Sequence, residues 1–367
     1  MKQIQLPSGM HDTLMEDCLK KQELKDRIEA VYASYGYRPI DTPLIEFYST
    51  YASVFPSLKE EELYKFVDQD GMLLALRTDM TLPIARVCAT KYANSEPPFR
   101  FRYCSSVYKV RKSFAGKRNE VTDCGIELIG LNEASDPEVL TCALDVMEAI
   151  GAESSTLEIG NVEFIKKACE EAHLTEEEGH RCADLIDRKS MVELKEYLHT
   201  LDLSEDARTF FMRLPWCSGE DALQEAEAVC FAPSLKAILQ KMEELQDILN
   251  AMGYEGKFQF DLGKAPRLDY YTGIIFEGYV TGVGSGVLSG GRYDALFDKL
   301  GRPMPACGFG VKLDLLLDVC SVTVEKEAVV RFPKNKLKEA YQLAKDLRKE
   351  RLVQLVCGDV EDVEVIL

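Results

Sequence analysis

The chain has 367 residues, 46% of them apolar and 29% charged, the profile of a folded protein with room for two or three domains. No stretch approaches the roughly 20 consecutive apolar residues of a membrane span, and the opening MKQIQLPSGMHDTLMEDCLKK has no apolar signal core, so a cytoplasmic address is expected. A formal net charge of −18 argues against anionic membranes and against tRNA as the main partner, because proteins that live by phosphate contacts carry a basic face.

Residues 12–35 read as a helix, with Leu24, Ile28, Val31 and Tyr35 at one-face spacing, Asp12 placed to cap the start and Gly36 to end it. The two prolines of YRPIDTPLIE, residues 37–46, exclude a helix and suit an extended edge or interface segment. KFVDQ and LLALR make two short strands around the Asp70-Gly71 turn. Thr78-Asp79-Met80-Thr81 then opens a helix to about Tyr92, with Pro83 in its first turn. Alternating Phe99, Phe101 and Tyr103 mark a strand, residues 110–119 a charged loop and residues 120–130 a second strand. Pro137 begins a helix with Val139, Ala143, Val146 and Ile150 on one face.

Strand signals nearly vanish over residues 161–252, which are charged and helix-rich, and return over 257–320. The tail AVVRF, NKLKEAYQLAKDLRKERL, VQLVC reads as a β-α-β unit. Four segments are therefore expected: a core in two parts, residues 1–160 and 253–322, a helical insertion at 161–252, and a short C-terminal unit at 323–367.

Twelve cysteines are scattered without a C-x-x-C pair, beside only four histidines. They are expected to be mostly reduced core residues, with no structural zinc. Along VTDCGIELI, Asp123, Gly125 and Glu127 share one face and Thr122, Cys124, Ile126 and Leu128 the other. Two carboxylates flanking a glycine make a floor for an amino-bearing ligand, against the plainer possibility of a solvated sheet face. Asp79 and Thr81 sit where a strand gives way to a helix; they either collect a ligand or simply cap the helix. Tyr270 and Tyr271 are expected on opposite faces of a strand, so that at most one reaches a cavity, and packing is the ordinary job of such tyrosines. Gly282-Val-Gly-Ser-Gly-Val-Leu-Ser-Gly-Gly291 is glycine-rich, but a phosphate cradle needs a helix after it. Strands flank both sides here, which makes a hairpin and excludes a dinucleotide or P-loop function. Lys109–Arg118 is the one locally basic run. No cofactor is called for.

Six segments taken in order resemble the catalytic domain of class II histidyl-tRNA synthetases over roughly residues 5–320: LPSGMHD, GYRPIDTPLIE, LALRTDMTLPIAR, FRFRYCSSVYKV with DCGIELIG, LDYYTGIIFE, and GGRYDALF with PACGFG. GYRPIDTPLIE is similar to the family's dimer-forming first motif. The resemblance implies an α+β fold, a six- or seven-stranded antiparallel sheet flanked by helices. It implies that Asp79 receives the α-amino group of histidine with Thr81 beside it. By the same resemblance Asp123 and Glu127 surround the amino acid, and Tyr270 or Tyr271 reaches the imidazole. The departures concern ATP. The family's α-phosphate arginine falls at Lys109, which keeps the charge but loses the planar fork. Its adenine-stacking arginine falls at Leu315, and its histidine-specific arginine at Pro266, with Arg267 one residue late. One lost donor of this kind costs about 3 kcal/mol of transition-state stabilisation, so two or three weigh heavily.

A kept amino-acid site beside a weakened ATP site is similar to the regulatory branch of this family. Those paralogues lack aminoacylation and join the short-form catalytic subunit of ATP phosphoribosyltransferase. The resemblance implies a non-catalytic role in the first step of histidine biosynthesis, a hetero-oligomer with that subunit, self-association as a dimer, and histidine as effector. An active histidyl-tRNA synthetase domain is the alternative.

Overall fold

The computed structural model describes residues 5–54, 60–110, 118–265, 270–322 and 327–366. The chain divides into two compact units, Met1–Ser321 and Val322–Leu367.

In the first unit, α1 (Met15–Ser34) buries Leu24, Ile28 and Tyr32, four apart along one face. Tyr32 replaces the expected Val31 and Tyr35 on that face. The helix starts at Met15, with Leu14 in the capping position and no side-chain cap, so Asp12 does not cap it. Gly36, at φ 81, supplies the left-handed residue that ends it. Then come β1 (Arg38–Pro39), β2 (Ile45–Phe47), α2 (Tyr48–Val54), β3 (Lys65–Val67), β4 (Leu73–Leu76) and α3 (Thr81–Thr90). Strands β2, β4 and β3 make a small antiparallel sheet. Its β3–β4 turn is closed by Asp68, whose Oδ1 accepts from the Asp70 and Met72 amides.

The chain continues through β5 (Phe99–Tyr108), β6 (Glu120–Ile129), α4 (Asp136–Ile150) and β7 (Ser155–Asn161). A helical stretch follows: α5 (Val162–Glu171), α6 (Glu176–Asp187), α7 (Met191–Thr200), α8 (Glu205–Arg213), the two-residue β8 (Ser218–Gly219), α9 (Ala222–Glu227) and α10 (Pro233–Ala251). The unit closes with β9 (Phe258–Asp261), β10 (Ile274–Val280), β11 (Leu288–Arg292), α11 (Ala295–Lys299) and β12 (Ala306–Lys312). The glycine-rich segment is the β10–β11 hairpin, as expected from its flanking strands.

One sheet unites the first unit, in the order β1-β5-β6-β12-β11-β10-β7-β9-β8. It has nine strands among the described residues, and β1·β5 and β7·β9 are parallel. The six or seven antiparallel strands implied by the resemblance are thus corrected. Two-residue strands extend both edges, and a parallel neighbour needs a long crossover, which α5 to α10 provide between β7 and β9. On one face, Cys124, Ile126 and Leu128 are fully buried, and Tyr32 of α1 donates to the Cys124 carbonyl at 3.0 Å. The other face of β6 carries the site described below.

The cysteines are expected to be mostly reduced, and one pair departs from that. Cys104 and Cys124 stand directly opposite in the β5·β6 register and are joined as a disulfide. Cys88, Cys142, Cys169, Cys182, Cys217 and Cys307 are buried free thiols. Register between strands, which residue spacing does not reveal, makes the difference.

The second unit is β13 (Ala328–Phe332), α12 (Leu337–Leu347), β14 (Val353–Cys357) and β15 (Glu364–Ile366). β13 and β14 are parallel with α12 crossing between them, and Val330, Phe332, Ala340 and Ala344 form its core. β15 adds an antiparallel third strand beside β13.

Candidate functional site

β6 and β12 run antiparallel through the middle of the large sheet, pairing Glu127 with Gly308, Gly125 with Gly310 and Asp123 with Lys312. The floor they form is low because of its glycines. A Cβ at Gly308 would run into the Glu127 carboxyl, and one at Gly310 into the Asp123 carboxyl, so only glycine lets these acids lie flat against the next strand. Above this floor opens a cavity of about 480 Å³.

Asp79, Thr81, Asp123, Tyr270 and Tyr271 all line it. Asp79 arrives through the β4–α3 junction, which buried Arg77 pins by donating to the Thr42 carbonyl at 2.7 Å and the Ser106 carbonyl at 2.8 Å. Asp79 also caps: its Oδ1 accepts from the Leu82 amide at 2.9 Å and its Oδ2 from the Thr78 hydroxyl at 2.8 Å. The capping role and the cavity position coexist in one side chain.

Glu127 projects from the same face of β6 as Asp123 but is outside the lining, buried against Thr81 and Tyr293. It is 1% exposed, accepts from the Thr81 hydroxyl at 2.7 Å and is capped at its other oxygen by the Tyr293 hydroxyl. Burial pushes its carboxyl up to about 8, with the two hydroxyls pulling the other way. Near neutrality it is therefore a largely protonated group that orients Thr81 and Tyr293. Asp123 faces the cavity; loss of solvent raises its carboxyl to about 6, against the pull of Lys312 and Lys109.

Tyr270 and Tyr271 do not alternate across a strand. β10 begins only at Ile274, so both sit in the irregular approach to it and both reach the cavity. Lys166 of α5 donates to the Tyr271 carbonyl at 2.8 Å. Tyr270 stacks on Tyr293 with centroids 5.6 Å apart and meets Tyr271 edge-on at 4.7 Å. Tyr293 is anchored by its neighbour: buried Arg292 pairs with Asp136 and, at 3.1 Å, with Asp294. The GGRYD segment stands out by pattern, but nothing in that pattern marks its tyrosine as part of the site.

The positions read as weakened ATP contacts divide. Lys109 lines the cavity. Leu315 falls in the turn Leu313–Leu315 after β12, outside the lining. Pro266 and Arg267 lie outside the described residues, as does most of the basic loop. Beside the positions read as weakened ATP contacts, Arg118 and Lys312 join Lys109 in the lining. Register alone brings Lys312 there, opposite Asp123.

A family model described as histidyl-tRNA synthetase matches residues 9–316. An ATP phosphoribosyltransferase regulatory subunit of Acetivibrio thermocellus is 35% identical over 369 residues, covering 98% of this chain and 88% of that protein. That of Ruminiclostridium cellulolyticum is 35% identical, covering 95% and 85%. A crystal structure from Bacillus halodurans, described as an ATP phosphoribosyltransferase regulatory subunit/histidyl-tRNA synthetase, superposes with a TM-score of 0.87 at 32% identity, covering 98% of this chain and 94% of the other. A histidyl-tRNA synthetase from a Nostoc species reaches a TM-score of 0.81 at 21% identity, with 98% and 88% covered, and so shares the fold. With one family model spanning most of the first unit and relatives matched over nearly their whole length, the chain belongs to the histidyl-tRNA synthetase family and, within it, to the ATP phosphoribosyltransferase regulatory subunits.

Proposed function

We propose that this chain is the non-catalytic regulatory subunit of an ATP phosphoribosyltransferase, acting in the cytoplasm with a short-form catalytic subunit in the first step of histidine biosynthesis, and that its cavity senses histidine. The observation that carries the sensing role is the gathering of Asp79, Thr81, Asp123, Tyr270 and Tyr271 around one 480 Å³ cavity. Asp79 and Asp123 offer carboxylates to an ammonium group. The Tyr270–Tyr293 stack, with Glu127 bonded to Tyr293, offers hydroxyls and aromatic faces to an imidazole. Histidine bound there acts on the partner by favouring one assembled state over another.

Self-association as a dimer fits the same reading. The small sheet leaves Ile45, Phe47, Phe66, Val67, Met72 and Leu73 exposed, an apolar set of the kind a second copy covers. Calorimetric titration with histidine tests the sensing role, and no heat at millimolar ligand ends it. Co-purification with the short phosphoribosyltransferase tests the partner. tRNA is not an expected ligand, given the net charge of −18.

An active histidyl-tRNA synthetase domain remains as a second reading because Lys109, Arg118 and Lys312 keep positive charge at the cavity. It requires histidine-dependent exchange of pyrophosphate into ATP. The regulatory reading requires that exchange to be absent, in line with Leu315 where the family places an arginine.

A further inference from the structure

We propose that the Cys104–Cys124 disulfide is a redox switch behind the cavity floor, opened by a low-molecular-weight thiol that enters a second cavity on the opposite face of β6 and attacks Cys104. The inference does not depend on what the first cavity binds.

The other ten cysteines are free thiols, so the oxidised pair stands apart. In the cytoplasm proposed above, small thiols keep cysteines reduced, and a disulfide there is ordinarily a transient redox element rather than a permanent brace. Its two sulfurs are unequally placed. Cys124 is fully buried, and the Tyr32 hydroxyl of α1 donates to its carbonyl at 3.0 Å. Cys104 is half-buried and lines a cavity of about 310 Å³. Thr13 and Gln22 line that cavity from α1 and the residues before it, Ser106 and Thr122 from the sheet. A thiol of the size of cysteine meets Cys104 there and has no such approach to Cys124. The geometry therefore selects Cys104 as the sulfur that is attacked and Cys124 as the one that leaves.

The chemistry is thiol–disulfide exchange. The thiolate of the small molecule attacks Cys104 Sγ. A bond forms between those two sulfurs as the Cys104–Cys124 bond breaks, and Cys124 leaves as a thiolate that takes a proton from solvent. A second molecule of the thiol attacks the sulfur of the first and releases Cys104 as a thiol. Two small thiols are oxidised to their own disulfide, and one protein disulfide is reduced. The consequence reaches the first cavity because strand side chains alternate. Tyr103 and Asp123 each precede one of the two cysteines, project from the other face and line the first cavity. The disulfide ties together the two strands that carry them. Asp314 also joins the two linings. It accepts from the Thr122 amide at 2.6 Å and from Lys21 at 2.9 Å, both of the second cavity, and Arg118 of the first approaches it at 3.6 Å. Without the crosslink, β5 and β6 open more often.

The test uses the full chain purified in air. Alkylation in denaturant and peptide mass mapping should find the Cys104–Cys124 bond and ten alkylated cysteines; a chain in which Cys104 and Cys124 are both alkylated overturns the inference. Millimolar L-cysteine is then added to the native protein and samples are quenched with acid. The cysteine adduct is expected on Cys104 at least about ten-fold more than on Cys124, because access decides which sulfur is attacked. Equal adducts on both overturn the inference, as does a bond that L-cysteine opens only in denaturant. Cys18 is an exposed thiol in the same lining. Cys18→Ser should leave the rate of exchange unchanged, and loss of exchange in that variant would make Cys18 the attacking group instead of the small thiol. Gln22→Trp and Thr13→Trp narrow the cavity from the side opposite the sheet and should each slow exchange by about ten-fold, with a thermal melt to show that they remain folded. Unchanged rates in both mean that the thiol does not enter there. Hydrogen exchange over Phe99–Tyr108 and Glu120–Ile129 should be faster by about ten-fold in the reduced chain. An identical pattern in the two states describes a bond that switches nothing, and the inference falls.

Discussion

Replacing Glu127 by glutamine isolates one buried proton. The side chain is 1% exposed, and burial lifts its carboxyl from the usual 4.5 to about 8. Between those pH values the unfolded chain releases a proton that the folded chain keeps. The stability tied to this group is therefore fully present below about 4.5 and falls by about 1.36 kcal/mol per pH unit until about pH 8. The whole interval amounts to roughly 4 to 5 kcal/mol at most. In the Glu127→Gln variant the amide has nearly the same shape as the carboxyl and no proton to release, and Thr81 and Tyr293 can bond to either end of it. Urea unfolding of both proteins between about pH 5 and about pH 8 reads the effect. The variant should be level or slightly weaker at the acid end and stronger than the parent by several kcal/mol at the alkaline end. Asp136 titrates in both proteins and cancels in the difference, whereas Asp123, whose charge helps to raise the Glu127 carboxyl, contributes a smaller coupled share. Parallel stability curves would refute the reasoning, and a variant that loses ground as pH rises would mean that Glu127 is ionised in the folded chain.

Three further outcomes follow from the same geometry. Gly308→Ala sets a methyl group against the doubly held Glu127 carboxyl and should cost about 1–3 kcal/mol; an unchanged melting temperature contradicts the packed floor. Arg292→Met strands Asp136, which is 4% exposed, and should cost about 3–5 kcal/mol in denaturant unfolding, with part recovered by adding Asp136→Asn. Phe47→Asp places a charge on the exposed face of the small sheet and should shift sedimentation from dimer to monomer; an unaffected profile removes that face as the self-association surface.

Much of this protein is local and was therefore legible in its residues. Period-two alternation along β6 put Asp123, Gly125 and Glu127 on one face, because side-chain direction in a strand depends only on position along it. The glycine-rich hairpin, the Asp70-Gly71 turn, the helix-rich stretch between β7 and β9, and the parallel pair around α12 were equally readable from spacing and turn chemistry. Strand pairing is not local. Lys312 meets Asp123, Gly308 makes room for Glu127 and Cys104 faces Cys124 only once register is chosen, and a one-residue slip would undo each contact. Tyr270 and Tyr271 share the cavity because the chain stays irregular until Ile274, a boundary that the Lys166 bond and the Tyr293 stack help to set. The residues determined that a carboxylate-bearing face and a pair of tyrosines exist. Only the folded sheet decided that cations would stand at one end of that face and a buried acid at the other, because the free energy that selects a register comes from burying whole faces together.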